Sequence, residues 1–145
     1  MRVIFCSTAC ATLRTLASGD CMNHSTTTPS VDVILNGIYN AIGIKRNLLG
    51  SLYLKDAVKT VLVHPQCVHR QVTKTLYPLV AAHFHTNAPC VERAIRNVIS
   101  QCCHQHFSTM NTFFHTTTYS PVHHPTNSEF IALLVDYVCL GLYTA

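Results

Sequence analysis

The stretch that most restricts how this chain can fold is residues 87–103, NAPCVERAIRNVISQCC. Val91, Ile95, Val98 and Cys102 recur at helical spacing, with Ala94 and Ile99 beside them. Apolar residues three and four apart share one face of a helix, so this segment must lay that face on a core. The opposite face carries Arg93, Arg96 and Asn97, with Glu92 at its margin. The preceding segment, TLYPLVAAHFHT, reads as a short helix and a polar turn. A short helix, a turn and a helix with an arginine face make a helix-turn-helix arrangement. The remainder reads as its scaffold.

Other helices follow from the same kind of evidence. Ser30 is a candidate N-cap for a helix over Val31–Ile42, with Asp32 in the positive first turn and Gly43 at the left-handed stop. A turn through Lys45, Arg46 and Asn47 leads to a helix over residues 48–63, where Lys55 and Lys59 form an exposed i,i+4 pair on a solvated face. His64-Pro65 ends it. A short helical piece is expected over residues 69–77, then a helix over 78–84 burying Val80, Ala81 and Phe84. His85 and Thr86 make the turn, and Asn87 or Thr86 caps the next helix. From 104 to 124 the chain is polar, anchored by Phe107, Phe113 and Phe114, with a short helix near 108–114 and then a loop. Thr126 and Glu129 stand at capping-box spacing before a last helix packed through Phe130, Leu133, Leu134, Tyr137 and Val138. No stretch shows strand alternation, so the class is all-α.

Composition narrows the function classes. The 145 residues suit one domain, with residues 1–30 as a flexible lead-in ending in the turn-rich GDCMNHSTTTPS. Charged residues make up 11% against about 25% in an average domain, and the formal charge of +4 permits a nucleic-acid partner. Eight cysteines without paired spacing, two of them adjacent, read as reduced thiols in a cytoplasmic protein rather than a disulfide framework. No run reaches the roughly 18 apolar residues of a membrane span, and FIALLVDYVCLGLY is interrupted by Asp136. Cys102, Cys103, His104 and His106, with His115, His123 and His124 further on, are of metal-ligand type, but adjacent cysteines do not match zinc spacing, so no metal is expected. A Cys/His nucleophile would lack an orienting third group, so no enzyme is expected either.

Four blocks then carry a resemblance: GSLYLKDAV, VTKTLYPLVAAHF, VERAIRNVI and PTNSEFIALLVD. In order and nearly unbroken in spacing, they resemble the C-terminal DNA-binding domain of the stage zero sporulation protein A family, a response regulator of endospore formation. The likeness runs over residues 31–142. It implies a six-helix DNA-binding domain over residues 31–145 whose recognition helix enters the major groove of a TGTCGAA-type operator. It implies that Glu92 and Arg93 read bases and that Arg96 lies beside the backbone. It further implies that the last helix, residues 128–140, takes part in homodimer contacts on tandem sites, with Phe130, Leu133, Leu134 and Tyr137 as the candidate side chains. The region after the recognition helix would touch the RNA polymerase sigma factor. Departures are visible too: Cys90 stands where the family usually has Arg, Asn97 where it has His, and Ala82 and His83 where it has basic residues. Residues 1–30 are too few for the family's phosphoacceptor receiver domain, so phosphorelay control through this chain alone is not expected.

The side-chain chemistry suits that reading. The guanidinium fork of Arg93 matches guanine O6 and N7, and Glu92 can accept from cytosine N4 while repelling phosphate. The bland alternative is a surface i,i+4 pair between Glu92 and Arg96. Asn97 lies on the same exposed face. Arg70, Thr73 and Lys74 precede the first helix of the motif, where they either touch phosphates or form a solvated basic turn. The expected function is thus a sequence-specific regulator of sporulation-type genes. The alternative is a dimerisation module that no longer binds its operator.

Overall fold

In a computed structural model that describes residues 29–67 and 72–144, every regular element is helical. The lead-in expected over residues 1–30 lies almost wholly outside the described residues, as does Arg70. Five α-helices follow in order: α1 Val31–Ile42, α2 Leu49–Val63, α3 Tyr77–His83, α4 Ala88–Phe113 and α5 Asn127–Thr144. A 3₁₀ turn, Pro65–Cys67, follows α2, and a π-helical turn, Val72–Leu76, runs into α3.

The caps read from sequence are made. Ser30 accepts from Val33 N, and Gly43 closes α1 in the left-handed region at φ 81°. Asn87 caps α4 by accepting from Cys90 N at 3.0 Å. Ahead of α5, Thr126 N donates to Glu129 Oε2 at 2.8 Å while Glu129 N donates to Thr126 Oγ1 at 3.3 Å. Each bond satisfies a backbone N–H that a helix start leaves without an internal partner.

Packing runs through one core to which all five helices contribute, including Leu35 and Ile42 of α1, Leu54 and Val58 of α2, and Ile95 of α4. The α2–α4 contact is unusually close at Gly50. A Cβ there would stand 2.2 Å from the carbonyl oxygen of Ala94 and 2.7 Å from a Val98 methyl. Only a residue without Cβ lets the start of α2 press against the backbone of α4.

The structure corrects several expectations. The short helix expected near 108–114 is present and follows without a loop: the run Ala88–Phe113 (α4) is two helical pieces that meet at a kink at His106 (φ −136°, ψ 24°). Ile99 and Cys103 before the kink and Met110 and Phe114 after it are all buried, so both pieces keep a face on the core. With the two pieces counted as one run, five α-helices rather than six fill the described residues. Phe107 is 38% exposed and is no anchor. Phe84 is 36% exposed and lies in the turn, its ring edge-to-face with Tyr53 at 4.9 Å. Lys55 and Lys59 do not form a free solvated face. Lys59 Nζ lies 2.7 Å from Asp32 Oδ2, and Lys55 Nζ donates to Asn36 Oδ1 at 2.8 Å, so both tie α2 to α1. The hydrogen bond from Lys59 holds the Asp32 carboxyl below its ordinary range.

Two glycine substitutions separate close packing from helix propensity. Gly50→Ala should lower the unfolding free energy by about 1–3 kcal/mol in urea titration, because overpacking outweighs the gain in propensity. Gly37 has nothing within 4 Å of a built Cβ. Gly37→Ala should therefore stabilise by about 0.4–1 kcal/mol. A stabilised Gly50→Ala protein would contradict the close approach.

Candidate nucleic-acid interface

The helix-turn-helix is built from α3, the turn at 84–87 and α4. His85 takes the left-handed conformation (φ 52°), and Thr86 N donates back to Ala81 O at 3.0 Å. A left-handed residue at this point reverses the chain within one turn, and a non-glycine residue bears some strain there. Val80 and Ala81 of α3 are buried, so a small residue and a branched one set how near α4 lies. His83 Nδ1 sits 2.7 Å from Asp56 Oδ2, joining the last turn of α3 to α2.

On α4, Val91, Ile95, Val98, Ile99 and Cys102 are buried, as their spacing predicts. Arg93, Arg96 and Asn97 are exposed and Glu92 is half-buried. Arg96 Nη2 is hydrogen-bonded to Glu92 Oε1, so the surface pair is formed. Exposed i,i+4 pairs of this kind contribute only about 0.3–0.5 kcal/mol. A good base contact, worth about 1–3 kcal/mol of discrimination, outweighs it. Arg93 enters no ion pair among the described residues. Thr73 and Lys74 are exposed on the π-helical turn ahead of α3.

One residue escaped sequence reasoning. Asn127, the first residue of α5, is buried, and its Nδ2 donates to Tyr77 Oη and to Glu92 O, both at 3.1 Å. A single amide thus holds the start of α3, the first turn of α4 and the start of α5. Its position inside a capping motif, PTNSEF, hinted only at a cap; the long-range bonds depend on the fold.

The candidate dimer side chains divide. Phe130 and Leu134 have no exposed surface, so they belong to the protomer's own core and present nothing to a second copy. Leu133 and Tyr137 are half-buried, and Tyr137 Oη donates to Phe113 O at 3.0 Å. The segment with the implied sigma-factor role forms the second part of α4 and the loop after it. There Phe107, Asn111 and His115 line an open hollow of mixed polar and apolar surface.

The Cys/His cluster is dispersed by the fold. Cys102 Sγ donates to Ile42 O at 3.1 Å, and Cys103 Sγ lies 3.8 Å from Met110 Sδ, both inside the core. Burial pushes the Cys102 thiol up to about 12 and the Cys103 thiol up to about 11. His104 and His124 meet edge-to-face at 5.2 Å outside it. Among the described residues no group of three or more His, Cys, Asp or Glu side chains is placed to hold a metal ion. Nor is any described helix long and apolar enough to cross a membrane.

Comparison with known families agrees with this geometry. Residues 35–138 match the family described as sporulation initiation factor Spo0A C terminal. The match spans the region from mid-α1 to late α5.

Two measurements test these contacts. Asn127→Ala leaves two buried acceptors without their donor and should lower the unfolding free energy by about 1–3 kcal/mol; an unchanged urea midpoint would mean the amide bonds are not made. The raised thiols predict alkaline destabilisation. Unfolded thiols ionise near pH ~8.5 while the folded ones stay neutral, so stability is intact below that pH and falls as pH rises toward 11–12. The slope should approach about 1.4 kcal/mol per pH unit for each thiol, and Cys102→Ala should flatten it.

Proposed function

The chain belongs to the sporulation initiation factor Spo0A C-terminal family, a family of DNA-binding sporulation regulators rather than enzymes, and on that premise we propose that it reads a short TGTCGAA-like operator in the major groove. The observation that carries the reading is Arg93: exposed and, among the described residues, in no ion pair, on the outer face of a helix whose opposite face is buried. A positively charged outer face on the second helix of such a motif suits base edges better than it suits any packing role.

In this reading Arg93 donates to guanine O6 and N7. Glu92 gives up its bond to Arg96 and accepts from a cytosine N4. Arg96, released from Glu92, turns to a phosphate, with Asn97 one turn beyond Arg93 beside it. Thr73 and Lys74 reach the backbone from the π-helical turn and fix register without reading sequence. The exchange explains why a pre-formed surface pair does not prevent recognition: it holds the Glu92 carboxylate in place until a base replaces its partner. Pairing of copies on tandem sites would use the remaining exposed surface of α5, with Leu133 and Tyr137 at its margin. Operator DNA as the partner implies work in the cytoplasm.

A dimerisation module without DNA binding is the competing reading. Cys90 and Asn97, at positions where the family resemblance leads one to expect Arg and His, favour it, while the internal placement of Phe130 and Leu134 gives it no support.

A gel shift with a TGTCGAA-type duplex and its scrambled counterpart separates the two. The protein should prefer the operator, and Arg93→Ala should lose about 5- to 150-fold of that preference, the equivalent of one bidentate base contact. Equal weak binding to both duplexes would overturn sequence-specific recognition.

A further inference from the structure

We propose that Lys45 and Arg46, in the turn between α1 and α2, form a second phosphate-contacting patch that grips the duplex backbone on the flank of α4 opposite α3. The inference rests on the DNA-binding reading above and adds a contact surface to it.

The placement follows from the helix-turn-helix geometry. Glu92 and Ala94 are two residues apart on α4 and so lie on nearly opposite flanks, with Arg93 facing outward between them. The Glu92 flank is held against Tyr77 and Asn127, next to the turn bearing Thr73 and Lys74. The Ala94 flank is held against Gly50. The turn just before Gly50 continues along that flank, where Gly43, Lys45 and Leu48 share a crevice with Val98, Gln101 and Gln105. A helix with its side chains is about 10–12 Å across and the major groove about 12 Å wide. With the Arg93 face in the groove, both flanks abut a phosphate wall. Thr73 and Lys74 serve one wall. Lys45, which lines that crevice, stands beside the other, with Arg46 next to it in the same exposed turn.

Charge and rigidity support the assignment. Among the described residues, Lys55 and Lys59 pair with Asp32, and Arg96 pairs with Glu92. Lys45 and Arg46 are exposed and enter no such pair, and the turn holding them contains no acidic residue. In a chain with so little charge, two adjacent cations without an acidic partner are a substantial part of its available positive surface. The turn is also firmly held. Ser51 Oγ donates to Lys45 O at 2.6 Å, Ile44 N donates to Tyr39 O at 2.8 Å, and Tyr39 Oη donates to Ser51 O at 3.1 Å. Gly43 packs so tightly on the His106 ring that a Cβ would come within 2.5 Å of it. The cations are therefore carried on an ordered backbone, and little loop entropy is lost when phosphate binds.

The test is a salt titration of binding by the whole chain to a TGTCGAA-type duplex and a scrambled one. Each phosphate contact adds about 0.9 to the slope of log affinity against log salt. Lys45→Gln/Arg46→Gln should make the slope shallower by about 1.8 on both duplexes and leave the operator preference unchanged, whereas Arg93→Ala reduces the preference. Lys45→Arg/Arg46→Lys should keep the wild-type slope, and Lys59→Gln, on the side facing α1, should also leave it unchanged. An unaltered slope in the double Gln variant, with operator preference intact in the wild type, would overturn the patch and leave the DNA-binding reading standing. Failure of the wild type to bind either duplex would remove both. Urea midpoints within error of wild type confirm that these surface variants remain folded.

Discussion

The contact of Gly50 with the carbonyl of Ala94 sets the frame for everything else in this domain. Because no side chain stands between them, the start of α2 lies directly on the backbone of α4. That contact assigns one flank of α4 to the scaffold. Asn127 assigns the other by donating to Glu92 O and Tyr77 Oη. With both flanks held and Val91, Ile95 and Val98 buried beneath, the face bearing Arg93 is the one left to solvent. The orientation of the candidate reading face is thus a consequence of packing on its other three sides. Neither contact can be replaced by a better hydrophobe without moving the helix.

Electrostatics works within a small set of charges. Asp32 neutralises Lys59 and draws in Lys55, Asp56 lies against His83, and Glu92 takes Arg96. These pairs tie α1 to α2, α2 to α3, and one turn of α4 to the next. Among the described residues, the lysines and arginines left over are Lys45, Arg46, Lys74 and Arg93, on α4 or on the turns beside it. The acids thus do more than offset charge. Asp32 occupies Lys55 and Lys59 on the scaffold, while within the motif Glu92 holds Arg96 and leaves Arg93 and Lys74 available to an anionic partner. Buried thiols behave differently again, since Cys102 and Cys103 are packed as small hydrophobes and hold their protons well into alkaline pH.

Much of this was legible from local pattern. Ser30, Gly43, Asn87 and the Thr126–Glu129 pair mark helix ends because capping involves residues three or four apart, and the structure makes each bond or conformation. The apolar stripe of α4 was legible for the same reason. Where reading failed, a distant residue decided. Lys55 and Lys59 looked solvated until α1 brought Asp32 and Asn36 to them. Phe84 looked buried until the turn carried it outward against Tyr53. That the short helix after His106 joins the rest of α4 directly, at a kink, was obscured by the polar run after Cys103, although Met110 and Phe114 kept the buried spacing.

The amino-acid sequence by itself determined the helical class, the caps, the helix-turn-helix and the identity of the face carrying Arg93, since all of these depend on residues within a turn or two of each other. Family membership rests on it as well. Tertiary structure alone decided that the helix begun at residues 87–103 meets the short helix after it directly, at a kink at His106, that Phe130 and Leu134 face inward, and that Asn127 secures the start of the helix. It also decided that Lys45, over forty positions before Arg93 in the chain, lines a crevice along the flank of the same helix. Helical periodicity tells which residues of one element share a face. Which element covers that face depends on close approach between distant segments, and here a glycine and a buried amide make that approach possible.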